Sequence, residues 1–247
     1  MDKEKTAEQF LKTINLYSDF IEYGIKKNHK LPDLSHFNKS VEIKEKIIEK
    51  NNSNITPKVS SDKKNKIINL AESILYCKQC SLYKNAKKVP GIGNLDAQIF
   101  VIGYPPTSIE ESAGKPMVGE VKAFFEKWLN AINININDIF ITSLLKCPIK
   151  KIKISKEHIE KCLDYIDKQL EIIKPGIILV LGQLPLSSLK KSFTDIKSNH
   201  GQLFYYNEIP CFPIYHPLDV LKNPALKKIV WDDLKKFKKI LEKNGKK

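Results

Sequence analysis

The sequence predicts a three-layer α/β/α domain, built on a central, mostly parallel sheet, with an N-terminal helical extension in front of it. Three observations carry this. Short, almost continuously apolar segments recur along the chain, as they must where strands are buried on both faces. Between them lie longer segments with apolar residues three and four positions apart, the period of an amphipathic helix. The two kinds alternate, as the crossover connections of a parallel sheet require.

In chain order, residues 5–26 place Phe10, Ile14, Tyr17, Phe20 and Ile21 at helical spacing, and Gly24 is the residue expected to end that helix. From about residue 27 to residue 62 the chain turns polar and lysine-rich, ending in NNSNITPKVSSDKKNK, which reads as a linker. Residues 1–62 are therefore expected to form a helix and a polar tether, and residues 63–247 the α/β domain. Within it AQIFVIG (97–103) is a strand, GEVKAFFEKWLNAI (119–132) a helix and DIFITSLL (138–145) a strand. SKEHIEKCLDYIDKQLEII (155–173) follows as a helix with Ser155 placed to cap it, because a serine hydroxyl satisfies an otherwise unpaired amide of the first turn. GIILVLG (176–182) and the proline-bearing IPCFPIY (209–215) are strands, and ALKKIVWDDLKKFKKILEK (225–243) closes the chain as an amphipathic helix.

Composition narrows the function. No stretch approaches the roughly 18 uninterrupted apolar residues of a membrane span, and MDKEKTAEQF opens without the apolar core of a secretion signal, so a cytoplasmic protein is expected. The formal net charge is +14. That suits a polyanion, since lysines displace the counterions condensed on nucleic acid. All 42 basic residues are lysine, and the wealth of Ile and Asn beside them is what an AT-rich coding sequence would produce for any protein, so the charge alone does not name the partner.

Five cysteines, two of them in YCKQC (76–80), read as metal ligands in a reducing compartment better than as a disulfide framework. Cys77, Cys80, Cys147 and Cys162 are four thiols that a compact α/β domain could gather, with Cys211 left inside a strand as a structural residue. Ligand type alone suits zinc and an iron–sulfur cluster about equally.

Ligands of open parallel sheets bind beyond the carboxyl ends of the strands. The segments there, in order, are GYPPTSIEE (103–111), GKPMVG (114–119), TSLLKC (142–147), the end of LVLG (179–182) and YHPLDVLKNP (215–224). With the CxxC and VPGIGNLDAQIFVIG (89–103) before them, these segments resemble, in the same order over about residues 70–243, the iron–sulfur uracil-DNA glycosylases called family 4. The resemblance implies a uracil-DNA glycosylase-like fold and a 4Fe–4S cluster on Cys77, Cys80, Cys147 and Cys162. It implies DNA repair by hydrolysis of the N-glycosidic bond of a flipped deaminated base, most naturally uracil, in single- or double-stranded DNA. A monomer is the expected state.

His216 matches the histidine of the family's His-Pro step, and Gly103 with Glu110 matches the first loop, so these are the catalytic candidates. Tyr104, Pro105, Pro106, Met117 and Ser143 fall on its base pocket, and Leu218, Leu221 and Lys222, with His200, on its DNA contacts. The pocket also departs from the pattern: Tyr104 stands for an acidic residue, Met117 for a stacking phenylalanine and Ser143 for the asparagine that reads the uracil edge. A non-catalytic iron–sulfur protein that binds DNA on the same scaffold is the alternative. His29, His36 and His158 are expected to be solvated.

Overall fold

A computed structural model describes residues 61–84, 86–149 and 153–244. The helix expected over 5–26, and all but the last two residues of the polar segment after it, lie outside these, as do His29 and His36. The first helix, α1 (Ser61–Leu75), starts inside the stretch assigned to the linker. Its SDKKNK turn is polar, but Ile67, Leu70, Ala71 and Ile74 form one buried face, and Asp62 pairs with Lys66 one turn on. That face packs on a later helix, and burial of this kind stabilises a helix more than propensity does.

After α1 come β1 (Ile92–Gly93), β2 (Ile99–Gly103), α2 (Ser108–Ala113), α3 (Gly119–Ala131) and β3 (Ile139–Ser143). Then follow α4 (Lys156–Ile173), β4 (Ile177–Leu181), α5 (Gln183–Leu189), α6 (Ile196–Asn199), β5 (Phe204–Tyr206), β6 (Ile209–Ile214), α7 (Pro217–Lys222) and α8 (Lys227–Asn244). The six strands form one sheet in the order β1-β3-β2-β4-β6-β5, parallel through the four central strands and antiparallel at both edges. Every residue of β2, β3 and β4 is buried, so both faces of the sheet are covered, as their unbroken apolar sequences predict. Phe100 and Phe140, register partners on β2 and β3, stack at 5.2 Å, and Phe237 of α8 packs on Phe212 of β6.

The caps follow the sequence. Ser155 accepts from the amide of His158 at the start of α4, and the His158 ring accepts in return from the Ser155 amide at Nδ1. Among the described residues no helix is long and apolar enough to cross a membrane.

Chain direction creates the site. From β2 the chain goes to β3 on one side, whereas β4 lies on the other side of β2 and leads on to β6. The order thus reverses between β2 and β4, and the crevice outside their carboxyl ends is where such sheets bind ligands.

Candidate active site

Gly103 ends β2 and is the register partner of Ser143, which ends β3. Both are buried on the same rim, and the Leu144 amide donates to the Gly103 carbonyl at 3.0 Å. His216 follows β6 on that rim. A methyl group at Gly103 would stand 3.5 Å from Nε2 of His216, so the imidazole edge faces bare backbone and no side chain intrudes between them.

His216 is buried and caps α7: its Nδ1 accepts from the Leu218 amide at 3.1 Å. Because Nδ1 is an acceptor, the neutral ring carries its proton on Nε2. Burial, with a smaller push from the Lys222 ammonium, lowers its pKa to about 3. The ring is therefore a neutral donor at neutral pH. The segment 217–222 is a short helix, because His216 supplies the cap and Pro217 has the backbone angle a first helical residue needs.

Tyr104 lies across Gly182 at the switch point. A Cβ at Gly182 would come within 2.5 Å of the Tyr104 hydroxyl, and Gly182 has φ 89°, so space and backbone both require glycine there. The Tyr104 ring stacks on His216 with centroids 4.3 Å apart. Pro105 is half-buried and Pro106 buried.

Met117 is buried and holds φ 54°, a left-handed conformation that costs a non-glycine residue energy and persists only where its surroundings enforce it. Glu110 does the enforcing. Its Oε1 accepts from the Met117 amide at 2.6 Å, and its Oε2 from the Thr107 amide and hydroxyl at 2.7 and 2.9 Å. Both oxygens of the sequence-expected catalytic carboxylate are thus engaged in closing the first turn of α2 and holding the Met117 turn. Met117 leads into α3, which packs on α7.

Leu218 and Leu221 are half-buried and Lys222 exposed on α7. His200 is half-buried, and its Nδ1 lies 2.7 Å from Oδ2 of Asp233, a buried carboxylate whose pKa burial raises despite His200 beside it.

The four cysteines expected to bind metal come from three segments. Cys77 and Cys80 lie in the turn after α1, Cys147 beyond β3 and Cys162 on α4. Burial raises the Cys147 thiol to a pKa of about 12; Cys162 adds to that rise, Lys88 opposes it, and Cys80 and Cys77 contribute further. Cys162 is raised as well, by burial first, against the pull of the Lys146 amide and ammonium. The two buried thiols, Cys147 and Cys162, therefore each sense Cys77 and Cys80. Among the described residues no three such side chains converge as a single ion would require. Four cysteines of which the two buried ones feel the other two suit, by ligand type, the thiolate set of an iron–sulfur cluster. Cys211 is buried apart in β6, its Sγ 3.5 Å from the Ile209 carbonyl.

A profile of the uracil DNA glycosylase superfamily matches residues 90–235. The chain belongs to the uracil DNA glycosylase superfamily. Among its curated relatives, a type-4 uracil-DNA glycosylase of Saccharolobus solfataricus is 34% identical over 70% of this chain and 85% of its own. One of Archaeoglobus fulgidus is 34% identical over 72% and 93%, and one of Thermotoga maritima 30% identical over 71% and 95%.

Two residues of this superfamily member escaped the sequence reading. His158, expected to be solvated, is buried, with Nδ1 taken by Ser155 and Nε2 2.9 Å from the Ser81 hydroxyl. It ties the residue after Cys80 to the turn of α4 before Cys162. Its spacing from Cys162, four residues on one helix face, was the available signal. Lys146 is buried too. Its ammonium donates to Thr142 Oγ1 at 2.5 Å, Gln169 Oε1 at 3.0 Å and the Ser143 carbonyl at 3.1 Å, while burial lowers its pKa to about 7. Gln169 and Thr142 both donate to the Pro90 carbonyl, so one buried polar network joins α4 to the strand end that carries Ser143.

Proposed function

We propose that this protein is a DNA-repair glycosylase that hydrolyses the N-glycosidic bond of a deaminated base, uracil, flipped out of DNA. One observation carries the proposal: buried, neutral His216 has Nδ1 bound by the Leu218 amide and turns its Nε2 edge to the bare Gly103 backbone at the switch point. When the bond between base and sugar breaks, its electron pair leaves with the base, and negative charge grows on a base oxygen. A neutral, preorganised N–H aimed at that oxygen stabilises the transition state more than the ground state. Water adds to the sugar carbon left electron-poor. The names of the type-4 relatives support the same substrate.

In this reading Gly103 lets the base approach, and Met117, Ser143, Tyr104, Pro105 and Pro106 line its pocket. Glu110 contributes by fixing the Met117 turn. Leu218 and Leu221 press on the opened duplex, Lys222 meets phosphate, and His200, with Nδ1 held by Asp233, offers Nε2 to another phosphate. Cys77, Cys80, Cys147 and Cys162 hold a 4Fe–4S cluster, which supplies a structural cross-link between the α1 turn, the end of β3 and α4. The protein acts as a monomer.

The direct test is incubation with a uracil-containing oligonucleotide beside its thymine counterpart. Abasic product from the first alone is expected. Tight binding with no abasic product would favour the non-catalytic DNA-binding alternative.

The depressed pKa of His216 sets a pH profile. The Nε2 donor is neutral above about pH 3, so single-turnover excision should stay level from about pH 8 to about pH 5 and not fall near the usual histidine value. Stability has the opposite sensitivity. Between that usual value, 6.5, and about 3 the unfolded chain binds a proton at His216 that the folded chain does not, so stability falls as the pH drops through this window. Rates and denaturant midpoints measured across the window check both.

Binding should weaken steeply with salt, because lysine contacts act through counterion release. Lys222→Ala should lower affinity for all sequences alike and make the slope of log affinity against log salt shallower by about one. Salt titrations of the two proteins decide it.

A further inference from the structure

The Tyr104 ring stacked on His216 also reaches a residue 115 positions along the chain from itself. Tyr104 donates its hydroxyl proton to Oδ2 of Asp219 at 2.7 Å, across that sequence separation. Asp219 lies in the first turn of α7, and its own amide donates to the His216 carbonyl at 2.9 Å. The contacts form a closed circuit: Gly103 leads to Tyr104, Tyr104 to Asp219, Asp219 to His216, and His216 back to Gly103.

Each link constrains a different freedom of the imidazole. The Leu218 amide on Nδ1 fixes which nitrogen points inward, since a ring flip would break that bond. It does little against tilting of the ring plane. The Tyr104 ring does, because it lies nearly parallel to the imidazole, at 11°, on one face. Tyr104 is itself set from behind by Gly182, where no Cβ fits, and at its far end by the Asp219 carboxylate. Hydroxyl–carboxylate bonds of this length are among the stronger hydrogen bonds in proteins. Burial, reinforced by Asp219, keeps the phenol protonated and so able to donate.

We propose that Tyr104 and Asp219 are positioning residues for His216: their bond holds the phenol ring as a fixed plate that sets the imidazole plane and so aims Nε2–H at the departing base. The bond also latches the loop after β2 to α7, the helix whose outer side chains are assigned to DNA. The role in catalysis rests on the glycosylase reading above, whereas the holding of the ring does not.

The test uses iron-loaded Tyr104→Phe, which keeps the stack and loses the bond, Asp219→Ala, and the double variant. Single-turnover uracil excision should fall about tenfold in each single variant, the size of one charge-assisted hydrogen bond. DNA affinity should fall by less than the excision rate does. The double variant should be no slower than the slower single one, since both remove the same interaction. A second readout is independent of excision: nitrogen-15 resonances of His216 should report one Nε2–H tautomer in the parent and a broadened, exchanging ring in the variants. Wild-type rates in Tyr104→Phe, losses that multiply in the double variant, a loss in affinity alone, or unchanged His216 resonances would each overturn the proposal. If the parent itself releases no uracil, the glycosylase reading fails, and the resonances alone decide whether the plate holds the ring.

Discussion

Replacing His216 should reduce uracil excision by about 10²–10³, the usual cost of removing a preorganised donor to a developing anion. Two substitutions separate the donor from the cap. His216→Ala removes Nε2–H and also the acceptor that the Leu218 amide uses, so α7 should lose about 1 kcal/mol of capping with it. His216→Asn supplies a good cap but no imidazole edge facing Gly103, so its melting temperature should lie near the parent's while its rate falls as far. Iron content should be the same in all three proteins. Single-turnover rates beside thermal melts make the comparison. An asparagine variant with near-parental rate would show that His216 only builds the helix, and the proposed role of its Nε2 would fall.

Replacing any of Cys77, Cys80, Cys147 and Cys162 should be more damaging still, because it acts on folding. The parent should carry about four irons per chain when purified without oxygen. Cys147 and Cys162 are buried, so loss of one ligand should release the metal and expose apolar surface around α1 and α4. Iron and sulfide analysis, visible absorption and the soluble fraction on expression measure this. Cys211→Ser is the control. Its thiol lies in β6 against the Ile209 carbonyl, apart from the other four, so iron content and colour should persist. One zinc per chain in place of iron would overturn the cluster assignment.

How legible the fold was depended on how local its causes are. β2, β3 and β4 could be read because burial on both faces demands unbroken apolar runs, and α4 because Ser155 stands where a cap must. α1 is not marked as a helix in the sequence, since its first turn is all polar and its stability comes from packing on α4. β1 and β5 are two and three residues long, too short for any periodicity, and exist only by pairing with β3 and β6. The helix at 217–222 did leave a signal, a capping side chain followed by proline.

By itself the sequence determined the alternation of strands and helices, the rim on which the loops must lie, the four cysteines and the histidine after the last strand. These follow from residue type and from distances along one segment, which covalent geometry fixes. Tertiary structure alone decided what the polar side chains do there. Glu110, a candidate catalytic carboxylate by position, spends both oxygens on Thr107 and Met117. Tyr104 lies on His216 and reaches Asp219, and Lys146 joins β3 to α4. Such partners lie far apart in sequence, and a hydrogen bond forms between them only once packing has brought donor and acceptor within about 3 Å.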